Sequence, residues 1–425
     1  MFKQLVSEFP DESEYRQRLA GSQNFLGELY RNRGDSAQAE EQYLHAQHRQ
    51  RFLVKNAPRD STYRQELART SYNLGLLYLS IARPEDARNA YDNAIEELQT
   101  LVESQGSDEK NQQGLARAYL NRGILNRGTE RTKDAREDYD RAIALLNELT
   151  ETSPTNAEYR LELATVFNNL GNLLLLDKTT RDEAEQVYRD GLTMVESLTN
   201  DFPNVLLYRK DLANSVNSLA ALYYYNSNLD AAEQMWQRSR GLSRALVRDQ
   251  PQVPENHSLL GRTLGNLGTL MFKRDEYEAA RELLTKAIDS QQRALDSVPE
   301  HPEFQIFLRN STWSLTEVHL ALKDHESAAE TAEKLPDILR DDPAELYRAA
   351  SLVAKCVLPA AETANNEELS AIQMDYANRS TNLLARAVDQ GFSDVEKLDA
   401  DAAFASIRET EQYDAVRQRL ADGDR

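Results

Sequence analysis

His45 and His48 stand one helical turn apart in "LHAQH", a spacing at which two imidazoles can share a metal ion, but no third ligand is spaced to join them. The string "HES" at 325–327 lacks the second histidine of a zinc-protease helix. Cys356 is the single cysteine, so neither an intrachain disulfide nor a cysteine-based zinc site can form, and it reads as a small buried apolar residue. Phosphate-cradling and nucleophile-elbow motifs are absent, as are the catalytic-loop and metal-binding motifs of protein kinases. "DFP" at 201–203 reads as a turn and "GNLG" at 265–268 as helix interior. The expectation is a chain with no catalytic residues, no metal and no cofactor.

The chemistry that does recur is amide and guanidinium. Asn24, Asn168 and Asn217 share one register with Tyr72 and Trp313; Asn73, Asn121, Asn169 and Asn266 share the next. Asn172 lies close by, and Tyr224 falls one turn further on. An Asn side chain both donates and accepts, so a row of them can hold an extended peptide backbone of any sequence, or bond one helix to its neighbour. Arg69, Arg117 and Arg262 occupy a third shared register. If these arginines face one groove, it becomes a basic strip that prefers acidic or C-terminal carboxylate ligands.

The registers are set by a ladder of small residues. Gly27, Gly75, Gly123, Gly171, Ala220 and Gly268 follow one another at 48 or 49 residues, and Thr316 continues the series faintly. Twelve or thirteen residues after each comes an alanine: Ala39, Ala87, Ala135, Ala184, Ala232, Ala280 and Ala328. Four residues later stands a ring or its apolar substitute, Tyr43, Tyr91, Tyr139, Tyr188, Trp236 and Leu284. Prolines 10, 58, 154, 203, 251 and 299 mark the ends, with Gly106 taking the turn where one is missing. Ladders in register mean internal repetition, and the apolar spacing of three and four within each copy means helices.

In the copy at 61–108, a first helix over about Tyr63 to Ala82 precedes a second that opens on Pro84, where the missing N–H costs nothing. The short turn makes the two antiparallel. A mid-helix Gly75 then lets the partner helix approach, with the Tyr91 ring filling the space. The order of Leu74, Gly75, Tyr78, Ala87, Tyr91 and Ala94 resembles the tetratricopeptide (TPR) repeat. It departs from that family's period of about 34 residues. The resemblance covers roughly residues 13–343 and implies an all-α solenoid, a right-handed superhelix of helix pairs whose first helices line a groove for a protein or peptide partner. The units expected are 13–60, 61–108, 109–156, 157–204, 205–252 and 253–300, then a degenerate seventh at 301–343 and a helical cap at 344–425.

Both ends bear on context. Residues 1–12 match the close of a second helix without its first, which leaves Phe2, Leu5, Val6 and Phe9 as an apolar edge; either the chain begins inside a longer array, or these residues form a helical stub that caps the first repeat. The tail "FSDVEKLDADAAFASIRETEQYDAVRQRL" resembles the closing segment on TPR regions of planctomycete-type bacterial serine/threonine kinases, which implies signalling and a kinase domain upstream. A formal charge of −20, from 70 acidic and 50 basic side chains, argues against nucleic acid as a partner. No apolar run has the length of a signal peptide or a membrane span, so a cytoplasmic location is expected.

Overall fold

The computed structural model describes residues 1–105, 108–340, 342–363 and 366–423; Gly106, the expected turn glycine, lies outside them. A short α1 (Phe2–Glu8) is followed by α2 (Ser13–Asn32), α3 (Ser36–Asn56), α4 (Ser61–Ser80), α5 (Pro84–Gln105), α6 (Glu109–Gly128), α7 (Thr132–Thr152), α8 (Ala157–Leu174) and α9 (Arg181–Asp201). The order continues with α10 (Leu206–Tyr225), α11 (Leu229–Asp249), α12 (Pro254–Lys273), α13 (Tyr277–Ser297), α14 (Pro302–Ala321) and α15 (His325–Ala332). The C-terminal part holds α16 (Leu335–Ile338), α17 (Pro343–Lys355), α18 (Val357–Thr363), α19 (Asn366–Asp389), α20 (Val395–Ala400) and α21 (Glu411–Gly423). No strand occurs among the described residues. The architecture is an all-α, TPR-like solenoid.

The described chain forms two compact units, Met1–Tyr208 and Arg209–Arg425. In the first, α2, α4, α6 and α8 each pack on the helix that follows, and that helix packs in turn on the next even-numbered one where both lie in the unit. The even-numbered helices α2 to α14 will be called A helices and their odd-numbered followers α3 to α15 B helices. In the second unit α12 packs on α13, α13 on α14 and α14 on α15.

Local chemistry starts and stops these helices. Asp60, Asp108 and Asn156 cap A helices by accepting bonds from the backbone N–H groups two or three residues on. Pro84, Pro254 and Pro302 occupy first helical positions. The turns from A to B pass through a left-handed residue, at Gly34, Ala82, Glu130, Ser227, Asp275 and Lys323. At Ala82 the N–H of Arg83 returns to the Tyr78 carbonyl at 2.9 Å, closing the helix with a six-residue ring. Between α8 and α9 the turn is instead a 3₁₀ segment, Lys178–Thr180.

The small residues of the A helices sit against rings from the B helices. A methyl group added at Gly27 would lie 2.6 Å from the Tyr43 ring, one at Gly123 2.6 Å from Tyr139, and one at Gly171 2.5 Å from Tyr188. Gly75 faces Tyr91 in the same way, and at Gly268 the neighbour is Leu284 at 2.6 Å. Tyr43, Tyr91, Tyr139 and Tyr188 are fully buried, as are Ala39, Ala87, Ala135, Ala184, Ala232 and Ala280. In the second unit Ala220 is buried, and Trp236 lies 5.6 Å from Tyr224.

The tail closes the second unit with its own core. Leu346, Tyr347, Val353, Leu384, Leu398, Phe404, Ile407 and Tyr413 form one buried cluster. Phe392 stacks on Tyr347 at 4.6 Å, and the Tyr347 hydroxyl donates to Asp401 at 2.9 Å. Cys356 lies in the same cluster. Its thiol donates to the Leu352 carbonyl, and burial pushes its pKa up to about 12, which makes it inert.

Candidate functional site: the A-helix face

Within each unit neighbouring A helices touch, and their shared faces carry most of the polar residues singled out above. In the first unit Asn24 donates to Glu28 at 2.9 Å, and Asn73 donates to Glu28 at 3.0 Å and to Asn24 at 3.3 Å. Asn24 and Asn73 are buried. Asn121 donates to the Tyr72 hydroxyl at 3.0 Å and to the Arg117 carbonyl at 2.9 Å. In the second unit Asn266 donates to Asn217 at 3.2 Å. These amides therefore link one A helix to the next, the second of the two roles open to them. Asn169 turns back on its own helix to the Thr165 carbonyl, and Asn172 accepts from the Tyr188 hydroxyl at 2.7 Å. Asn168 is half-buried and has a partner of its own.

The arginine register does not form a uniform basic strip. Arg117 donates to Glu158 at 2.6 Å, and its Nε donates to Glu162 at 2.8 Å, so two carboxylates from the next A helix neutralise it. Burial raises the Glu162 pKa against the lowering effect of Arg117. Arg69 is exposed at the mouth of a cavity of about 600 Å³ that Glu28, Glu66, Tyr72, Asn73 and Arg117 also line. Burial pushes the Glu66 carboxyl above its ordinary range, opposed by the Gln17 hydrogen bond and the nearby Arg69 charge. This cavity carries both signs of charge.

Arg262 differs. Its terminal nitrogen donates to Asn214 at 2.6 Å, a neutral partner, and its Nε is buried without any. The guanidinium lies 5.4 Å from the centre of the Phe307 ring. Burial lowers its pKa, and the nearest compensation is the field of Glu303 rather than an ion pair. It opens on a cavity of about 140 Å³ lined with Asn266, Thr269, Asn310, Ser311 and Ser314. Burial of a cation without a carboxylate is costly unless something else supplies the charge.

The aromatic candidates have partners too. Trp313 carries the Arg348 guanidinium 4.3 Å over its ring, and Tyr224 carries Lys273 at 4.6 Å. Sequence reasoning missed Glu345, a buried carboxylate held by Arg309 at 3.0 Å and by Arg348. No repeat position announces it. His45 and His48 are both exposed, and among the described residues no cluster of three metal-ligating side chains exists. Among the same residues no helix is long and apolar enough to cross a membrane.

Comparison with known proteins bears on the fold. A tetratricopeptide repeat model matches residues 260–303, which run from α12 through α13 into α14. No curated protein matches the chain in sequence. The crystal structure of the apo form of RapI superimposes with a TM-score of 0.52 at 13% identity, covering 95% of this chain and 99% of that one. BtubC from P. vanneervenii gives a TM-score of 0.44 at 18% identity, over 67% of this chain and 93% of its own. The S. pombe nuclear import adaptor Nro1 gives 0.42 at 15% identity, over 70% and 99%. Helix pairing, ring-on-glycine packing and the matched segment together make this chain a TPR-like α-solenoid containing a recognisable tetratricopeptide repeat.

Proposed function

We propose that this chain is a non-catalytic protein-interaction scaffold whose A-helix face holds a peptide or protein partner, and that Arg262 anchors a carboxylate of that partner. The observation that carries the reading is the buried Arg262 Nε, unpartnered at the edge of a cavity lined with hydroxyl and amide groups. A carboxylate entering there gains a charge-assisted hydrogen bond and relieves an uncompensated cation. Arg117 serves the array instead, since Glu158 and Glu162 already hold it. We take the units as 13–60, 61–108, 109–156, 157–204, 205–252 and 253–300, with 1–12 a remnant, 301–343 a degenerate seventh and 344–425 the cap; A helices that begin at 13, 61, 109 and 157, and one residue into the later units at 206, 254 and 302, support these bounds. A single cysteine held as a free thiol supports a reducing, cytoplasmic compartment.

The test is binding of an array of peptides with free and amidated C-termini to the full chain and to Arg262→Gln. Peptides with free carboxylates should bind the wild type and lose at least tenfold affinity to the variant, a change of about 1.4 kcal/mol. Unchanged binding by Arg262→Gln sinks the anchor.

A second reading has one observation in its favour. The tail residues on which the kinase-associated resemblance rests, Phe392, Leu398, Phe404, Tyr413 and Val416, all belong to or pack on the closing core. In that reading the repeats are the docking arm of a serine/threonine kinase. An antibody against the tail should then detect a native polypeptide much larger than 48.3 kDa.

A further inference from the structure

The seventh helix pair is unequal. Its B helix, α15, stops after 8 residues, whereas α3, α7, α9, α11 and α13 each run 21 and α5 runs 22. Pro336 explains the stop, because its ring would clash with the carbonyl four residues back in a continuing helix. After the four-residue α16, α17 starts 41 residues after the start of α14, where the A helices before it start 48 or 49 apart. In place of the second half of a B helix stand only the one-turn α16, which packs on α14, and an irregular stretch after it.

Earlier pairs show what that half does. A residue in the first turn of the A helix reaches the last turns of its own B helix: Arg64 to Glu97 at 2.5 Å, Arg160 to Asp201 at 2.9 Å, Arg209 to Asp249 at 2.8 Å. Arg16 lies 4.0 Å over Phe52 in the same manner. The corresponding residue of α14 is Gln305, which keeps the bond to the proline carbonyl six residues back that Arg16, Arg64 and His257 also make, here Pro299 at 3.3 Å. Gln305 borders a cavity of about 1050 Å³. Its apolar lining, Ile288, Leu295, Leu308 and Ile338, belongs to one cluster with Phe304. Its charged lining is Asp296, Glu300, Asp337 and Asp342 against Lys334 and Arg340.

We infer that this cavity is a docking seat for a basic amphipathic helix of a partner protein, laid where the second half of a B helix lies in the other pairs. Helical form follows from the wall that α14 supplies, since it presents there the surface that its own B helix covers in the other pairs. Length follows from the deficit: α17 starts 7 or 8 residues sooner than the spacing of the A helices would place it, which at 1.5 Å per residue is about 11 Å, room for about two turns beside the residues at 333–340. The basic character follows from four carboxylates against two cations in the lining. A second copy of this chain fits less well. Its one half-length helix of matching sequence, α1, packs on its own α2, with Phe9 against Tyr15 at 6.0 Å, and its Lys3 and Glu8 cancel.

The test uses the full chain and two labelled twelve-residue peptides, read by fluorescence anisotropy. Both carry leucine at i, i+3, i+4 and i+7; the remaining positions are lysine in one and glutamate in the other. The lysine peptide should bind at least tenfold more tightly. Asp296→Lys/Glu300→Lys should weaken it at least tenfold, while Glu41→Lys/Glu137→Lys, with the same net charge, should not. Gln292→Trp, placing a ring on the exposed wall, should weaken both peptides and keep Arg262-dependent peptide binding intact. Equal weakening by the local and remote reversals overturns the seat, because net charge alone would then explain the affinity. Self-association in ultracentrifugation that disappears when residues 1–9 are deleted overturns it in favour of a second copy.

Discussion

One methyl group separates Gly75 from alanine, and the Tyr91 ring already occupies its place. Helix propensity alone favours Gly75→Ala by about 1 kcal/mol. Packing should reverse the sign: the ring is fully buried and cannot swing into solvent, so a net loss of about 1–3 kcal/mol is expected from overpacking. Thermal unfolding should show a lowered Tm, and an unchanged or raised one would mean the contact is soft. Tyr91→Phe keeps the ring and removes a buried hydroxyl that has no hydrogen-bond partner, so it should leave Tm level or higher. The glycine and ring were readable in the sequence because both recur in a fixed register. Arg117 was readable only as a cation: its carboxylate partners lie 41 and 45 residues away, and nothing in the local pattern says that they face it.

Turns decide how each helix pair closes, and several of them hold a side chain in backbone space that favours glycine. Ala82 has φ of 55° and Lys323 of 61°, while Gly34 fills the same place with φ of 80°. A left-handed conformation costs an L-residue about 1–2 kcal/mol, partly offset by the entropy that glycine loses on folding. Ala82→Gly should therefore stabilise by about 0.5–1 kcal/mol and Gly34→Ala should destabilise by a similar amount, measured as shifts in the denaturation midpoint. Opposite signs at the two sites are the expected signature; matching signs would refute the account. The place of the turn after Ala82 was readable from Pro84, but its left-handed residue was not, because Ala, Glu and Lys carry no signal for that conformation. The truncated α15 was legible in principle. Ala328 continues its ladder and made the seventh pair look merely worn, yet Pro336 stands where a full B helix would have its second half.

For the molecule as a whole, charge outweighs any single contact. The chain carries −20, and many of its ion pairs, such as Arg18 with Glu14 or Lys286 with Glu282, are exposed and worth about 0–1 kcal/mol each. Self-repulsion is longer-ranged than these pairs, and salt near 0.1 M screens it beyond about 10 Å. Raising sodium chloride from about 0.02 to 0.3 M should therefore raise Tm by a few degrees. A fall would show that the ion pairs carry more of the stability than their exposure suggests. The fold class was plain from periodicity, whereas the placement of charge along the face depended on contacts between residues more than 40 positions apart.

The amide joint between A helices has a genetic side. Asn73 meets Asn24 across 49 residues, and Asn266 meets Asn217 across the same interval. Both joints use one pair of positions, so a helix pair cut out at one place carries the correct half-joint for insertion at the other. Unequal crossing-over between such segments would yield longer or shorter chains whose junctions are already matched, and a gene of this design can change its length without first inventing a new interface.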